Sequence, residues 1–250
     1  MARVDYDREA EHYDAGRRVP IETLDPWRSQ IERFLPQSEK PLLDLGAGTG
    51  IWTHALSVWF DVAVVAVEPS SAMRSVGTTV GLPEGAHYVA ARAEALPLGD
   101  STCRAAWLST VVHHLTDTEV CAMELRRVLS EGAPVMIRST FSGRHDQVEL
   151  FRHFPAAAAV AETWPTVEEV VAAFAEAGFS NHALLRVRED EGRWRDLQRV
   201  RDWAVAMRHT DSALAPIPDA EFAEGLSNLD RAIANGQRPL PTGTDLLVLI

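Results

Sequence analysis

The 250-residue chain is 46% hydrophobic and 24% charged, with a formal net charge of -12. These values fit one folded domain carrying an insertion or a cap. The acidic balance argues against nucleic acid or an anionic membrane as partner, because both require clustered Lys and Arg. No apolar run approaches the roughly 18 residues of a membrane span, and the N-terminus has no signal-like apolar region. The two cysteines, Cys103 and Cys121, lack CxxC spacing, so the expectation is a reduced cytoplasmic protein with both thiols in its core. Arg186, Arg188, Arg193, Arg195, Arg199 and Arg201 are dense, but acids interleave them, and they read as a solvated face.

In chain order, residues 6–15 and 26–34 read as helices. The apolar run 41–45 reads as the first strand, 52–59 as a helix and 62–67 as the second strand. A helix over 71–77 leads to a short strand at 87–90, and 104–109 makes a fourth strand. Residues 119–129 form a helix that Gly132 is expected to stop, and 134–140 a fifth strand. This β-α rhythm predicts a doubly wound α/β fold with ligands at the strands' carboxyl ends. Beyond it, 166–177 is a helix with a Thr166/Glu169 capping box and Gly178 at its end. A strand follows at 182–187, then a largely helical stretch in which Asp219 is a possible N-cap of a helix reaching 226. Residues 245–250 form a last buried strand. The long separation of the last two strands predicts a lid, not a hairpin. The division expected is a helical cap over 1–36, a core over 37–189, a helical insertion over 190–240 and a final core strand over 241–250.

The first strand ends in Asp44-Leu45-Gly46-Ala47-Gly48-Thr49-Gly50. Glycine tolerates the backbone conformations of a tight turn and lets a ligand approach closely. The second strand ends in Glu68, about twenty residues on, the general layout of a site for a ribose-containing cofactor. A dinucleotide site needs Gly-x-Gly-x-x-Gly, and Ile51 stands where its third glycine would fall. A NAD-dependent oxidoreductase is therefore the less favoured reading, and a smaller adenosyl ligand the better one.

With these residues in view, the chain resembles the class I S-adenosylmethionine-dependent methyltransferases, small-molecule type. The resemblance rests on the 44–50 turn, on Val67-Glu68-Pro69-Ser70, on Ala93-Glu94-Ala95-Leu96-Pro97 and on Val112-His113-His114-Leu115, in order, within about residues 40–140. It implies a Rossmann-like, seven-stranded, mostly parallel sheet with an antiparallel last strand, and S-adenosylmethionine as cofactor, with S-adenosylhomocysteine as product. It also implies that backbone groups of Gly46, Ala47, Gly48 and Gly50 approach the cofactor, with Ser109 at the end of the fourth strand nearby. Asp44 meets the methionyl ammonium or only orders the turn. Glu68 accepts both ribose hydroxyls, a two-point contact with a charged acceptor, and Pro69, Ala93 and Glu94 flank the adenine. Family members often carry an acid where Arg92 stands, so Ala93 backbone or the Glu94 side chain takes over that contact.

The cofactor's methyl carbon is already activated, so transfer needs chiefly alignment and exclusion of water. An oxygen or nitrogen nucleophile can also need a general base. His113 and His114 follow the fourth strand and are candidates, with a structural role as the alternative. His145 and His153 are as readily loop residues. Tyr13, in a segment with Tyr6 resembling the family's N-terminal cover, is the candidate facing the methionyl end, with helix packing as its alternative. Trp52 is expected to pack the first helix on the sheet, and Trp194 and Trp203 to line an acceptor pocket or fill core. No metal-ligand spacing appears, and no Gly-x-Ser-x-Gly elbow. The expected partner is a small-molecule methyl acceptor. The reading from another class is a related fold that binds the cofactor without transferring methyl, as a cyclase or scaffold.

Overall fold

The computed structural model describes residues 19–189 and 192–250. The helix expected over 6–15, with Tyr6 and Tyr13, lies outside the described residues. Seven strands, β1 (Leu42–Leu45), β2 (Val64–Val67), β3 (Ala86–Val89), β4 (Ala105–Ser109), β5 (Val135–Ser139), β6 (Asn181–Arg188) and β7 (Gly243–Leu249), form one sheet. Their order is β3-β2-β1-β4-β5-β7-β6. Only β7 runs antiparallel, pairing with β5 and β6. Strand order reverses between β1 and β4, which opens a crevice at their carboxyl ends.

Period-two alternation sorts the strand side chains onto two faces. Leu43, Leu45, Val65, Val67, Leu108 and Ile137 face one core, covered by helices α4 (Thr118–Val128) and α7 (Val167–Glu176). Leu42, Val64, Trp107, Met136 and Val248 face the other, covered by α1 (Asp25–Glu32) and α2 (Ile51–Phe60). Trp52 packs there as expected, its ring 4.8 Å from that of Trp107. The same parity turns Asp44 toward α2 and Arg138 toward the tryptophans. The helix α3 (Ser71–Val80) links β2 to β3, with Ser70 as its N-cap.

A third core belongs to helices. α5 (Glu149–His153) and α6 (Pro155–Ala161) pack against α8 (Leu197–Ala206) and α9 (Asp219–Ala234) through Leu150, Phe154, Val200, Trp203, Leu214 and Leu229. Gly225 of α9 lies where any Cβ would strike the Phe154 ring. Among the described residues no helix is long and apolar enough to cross a membrane. Cys103 and Cys121 are free and buried.

The structure departs from the sequence expectations at several points. Helix α4 ends at Val128, within a residue of the expected end, but Leu129 and not Gly132 stops it, turning extended to bridge Cys103. Asp219 is the first residue of α9 rather than its cap; its carboxylate accepts from Arg208, and the helix continues to Ala234. The short α5 and α6 had no counterpart in the expectations. Arg186 is not solvated: it donates to Asp245, itself 2% exposed, at 2.6 Å. Arg199 and Arg201 do pair at the surface, with Asp196 and Asp230. The Thr166/Glu169 capping box forms as expected.

Candidate functional site

The turn after β1 passes through Gly46, Gly48 and Gly50 with φ of +74°, +57° and +85°, a region costly to residues with a Cβ. Close packing adds a second reason at Gly46, where a Cβ would lie 2.5 Å from Val111 Cγ2. The amides of Gly46 and Ala47 both donate to Val67 O, at 2.8 and 3.0 Å. Glu68 completes the turn: its carboxylate accepts from Gly48 N at 2.9 Å and Ser70 N at 2.8 Å. Asp44 lies beneath the turn, 1% exposed, accepting from Thr53 Oγ1 at 2.6 Å. Burial, with the charge of Glu68 adding to it, raises its carboxyl to about 7.

Three cavities meet at this end of the sheet. The first, about 220 Å³, is bordered by Gly46, Glu68, Pro69, Ala93, Glu94 and His114 among others. Its walls are largely apolar, with one buried carboxylate at its edge. The second, about 80 Å³, lies over Gly46, Ala47 and Gly48 and is bordered by Ser109, Thr110 and Arg138. The third, about 150 Å³, shares Val19, Leu24, Thr110 and Arg138 with the second and is walled by aromatic rings. Gly50 borders neither of the first two; it starts α2 and a Cβ there would meet Tyr88 Oη.

Glu94 does not aim its acceptors freely at the first cavity. Its Oε1 accepts from the amides of Thr116 at 2.8 Å and Asp117 at 3.4 Å, just ahead of α4. Partial burial would raise this carboxyl, but those amides and the Arg92 charge hold it below its ordinary value. Arg92 points outward, with a side chain 62% exposed, and donates to Thr116 Oγ1.

The strand β4 ends at Ser109, and Thr110 follows it at φ +58°. The kink delivers the chain into the 3-10 turn Val112–His114. There the His113 ring stacks on Trp164 at 4.4 Å and 15° and touches His114 at 4.1 Å. His114 Nε2 lies 3.1 Å from Ser212 Oγ, on the loop between α8 and α9. Trp194 and Trp203 border the third cavity with Trp164 and Asp211. His153 is instead buried against Glu149 in the helical core, and His145 sits against Glu162.

Sequence reasoning missed a charged pair on the cavity wall. Arg138 donates to Glu189 Oε1 from Nη2 and Nε at 2.6 and 3.2 Å. Trp27 Nε1 and Thr244 Oγ1 bond the same carboxylate, while the guanidinium lies over the Trp27 and Trp52 rings. Burial alone would raise the Glu189 carboxyl, yet the Arg138 charge and the hydrogen bonds of Thr244, Arg138 and Trp27 hold it low. An arginine inside the apolar run of β5 was the available signal.

A glycine turn after β1, a carboxylate after β2 and a crevice at the strand-order reversal define a doubly wound α/β protein that binds a nucleoside-containing cofactor. Residues 43–137 match the family model described as the methyltransferase domain. A malonyl-acyl-carrier-protein O-methyltransferase of Pseudescherichia vulneris is 26% identical over 138 residues, spanning 55% of this chain and 53% of that protein. The chain thus spans about half the length of that curated relative. Among solved structures, a protein described as a methyltransferase from an antibiotic biosynthesis pathway of Anabaena variabilis superposes with a TM-score of 0.75 at 18% identity. That match covers 90% of this chain and 96% of that one. The 4+2 cyclase SpnF superposes at 0.66 and 15% identity, covering 98% and 93%. Residues 43–137 accordingly match a methyltransferase domain, a likeness that supports the class I fold and S-adenosylmethionine as its cofactor.

Proposed function

We propose that the chain transfers the methyl group of S-adenosylmethionine to a small-molecule acceptor held in the cavity walled by Trp164, Trp194 and Trp203. The observation that carries this reading is that the three cavities adjoin one another through shared walls. Gly46 borders the first and second, and Thr110 and Arg138 border the second and third. An apolar groove with Glu68 at its rim suits a nucleoside, and the small cavity over the turn suits the amino-acid end.

The bound cofactor supplies a sulfonium methyl open to in-line displacement; the protein's residues supply alignment and a dry site. Glu68 would take the ribose hydroxyls while its amide bonds hold it in place. Pro69, Ala93 and the Leu96 region would flank adenine, with Glu94 contributing its backbone more than its committed carboxylate. The 44–50 turn, bordered by Ser109, would cradle the methionyl end over Asp44. The helical layer over 190–240, with the N-terminal cap, would act as the lid. His113, stacked on Trp164 and in contact with the His114 ring, fits positioning better than proton transfer. Nucleic acid and membrane are not partners in this reading, and the cytoplasm is the compartment that its free, buried thiols suit.

The likeness to SpnF keeps a second reading in view, a protein that binds the cofactor without transferring methyl. Labelled S-adenosylmethionine offered with extracts or a small-molecule library separates the two. S-adenosylhomocysteine formed in step with a methylated product supports transfer. Cofactor binding with no product from any acceptor, alongside turnover of an unmethylated compound, supports the alternative.

A further inference from the structure

The turn carrying His113 and His114 has one face on each site. Val111 and His114 border the first cavity, whereas His113 and Thr110 border the third. Val111 also packs directly on Gly46 of the cofactor turn. Across the gap, Ser212 borders the third cavity with Asp211 and Ala213, and its hydroxyl meets His114 Nε2 at 3.1 Å. Asp211 in turn stiffens its own loop, accepting from the amides of Ala213 and Leu214 at 2.9 and 3.3 Å. Arg208 fastens the far side of that loop through the carbonyls of Leu214 and Ile217 and the carboxylate of Asp219. The loop is thus an internally braced piece, tied by a hydrogen bond to a residue of the cofactor cavity.

We infer that Ser212 and His114 are positioning residues that couple the two cavities. An adenosyl group seated against Val111 and His114 fixes the turn. The fixed turn, through Ser212, sets the 211–213 wall of the acceptor cavity. The pair gives His114 a role other than that of a base. A neutral hydrogen bond of this kind has a modest net strength, so the coupling it transmits is about three- to tenfold. The inference rests on the cofactor-site reading above, and the experiment separates the two.

Hydrogen exchange at residues 207–217 is followed with and without saturating S-adenosylhomocysteine. In the wild type the ligand is expected to slow exchange there about three- to tenfold. Ser212→Ala should lose that slowing while its Kd for S-adenosylhomocysteine stays within about threefold, and Ser212→Thr should restore it. If Ser212→Ala does not fold, Ser212→Val, which matches the Thr variant in shape but lacks its hydroxyl, replaces it. Unchanged exchange in the liganded wild type, or full slowing in Ser212→Ala, overturns the coupling. A tenfold loss of ligand affinity in Ser212→Ala also overturns it, by making Ser212 part of the cofactor site itself. No binding of S-adenosylhomocysteine to the wild type would instead sink the functional reading.

Discussion

Glu68 spends both carboxylate oxygens on backbone amides, those of Gly48 and Ser70, and still borders the first cavity. Glu68→Ala should therefore weaken S-adenosylhomocysteine binding at least about tenfold in calorimetry, since a charged hydrogen bond contributes roughly 1.5–3 kcal/mol. Wild-type affinity in that variant would remove Glu68 from the site. Asp44 gives a pH prediction whose sign follows from its raised carboxyl, about 7 when folded against an ordinary value of 3.8. Between those values the folded state holds the extra proton, so this group makes stability fall as pH rises from about 4 to 7. Asp44→Asn should then gain in melting temperature relative to wild type as pH goes from 5 to 8. If Asp44 meets the cofactor's ammonium, wild-type affinity should rise through pH 7 and that of the variant should not. At Glu189, truncation strands the Arg138 charge among tryptophans. Glu189→Ala should lose about 3 kcal/mol or more in urea unfolding, and pairing it with Arg138→Met should recover part of the loss.

At the scale of elements, local signals were read correctly where both partners lie within one turn. The Thr166/Glu169 box is such a case, and Thr166→Ala should cost about 1 kcal/mol, read from the urea midpoint. The glycine turn is another, because Gly46, Gly48 and Gly50, which carry its positive φ values, lie within five residues. Elsewhere a distant partner decides the outcome against the local signal. Leu129 leaves the helix to bridge Cys103, so Gly132 never has a helix to stop. Asp219 is drawn to Arg208 and so cannot cap. The five-residue α5 and the Ala-rich α6 are too short or too uniform to show a period of their own. They exist because Phe154 and Leu150 find α8 and α9.

For the whole molecule, the sheet and the helical layer are separate cores joined along the third cavity. Gly225 is the contact to perturb, because a side chain there drives into the Phe154 ring between α9 and α6. Gly225→Val should speed exchange or proteolysis across 197–234. It should also cut turnover at least about tenfold, with S-adenosylhomocysteine affinity changed less than about threefold. Equal loss of both would mean that the layer is needed to hold the cofactor site as well.

The sequence by itself determined the α/β alternation, the glycine turn, the acid after β2 and hence the kind of cofactor. Each is written in neighbouring residues, where backbone geometry and hydrophobic period leave few alternatives. Strand order and the antiparallel β7 followed from the family resemblance rather than from any residue pattern. The acceptor side was decided only in three dimensions. Arg138 and Glu189 stand 51 residues apart and His114 and Ser212 98 apart. Nothing local marks such pairs, because the free energy that joins them is gained only after the sheet and the helical layer have closed the intervening loops.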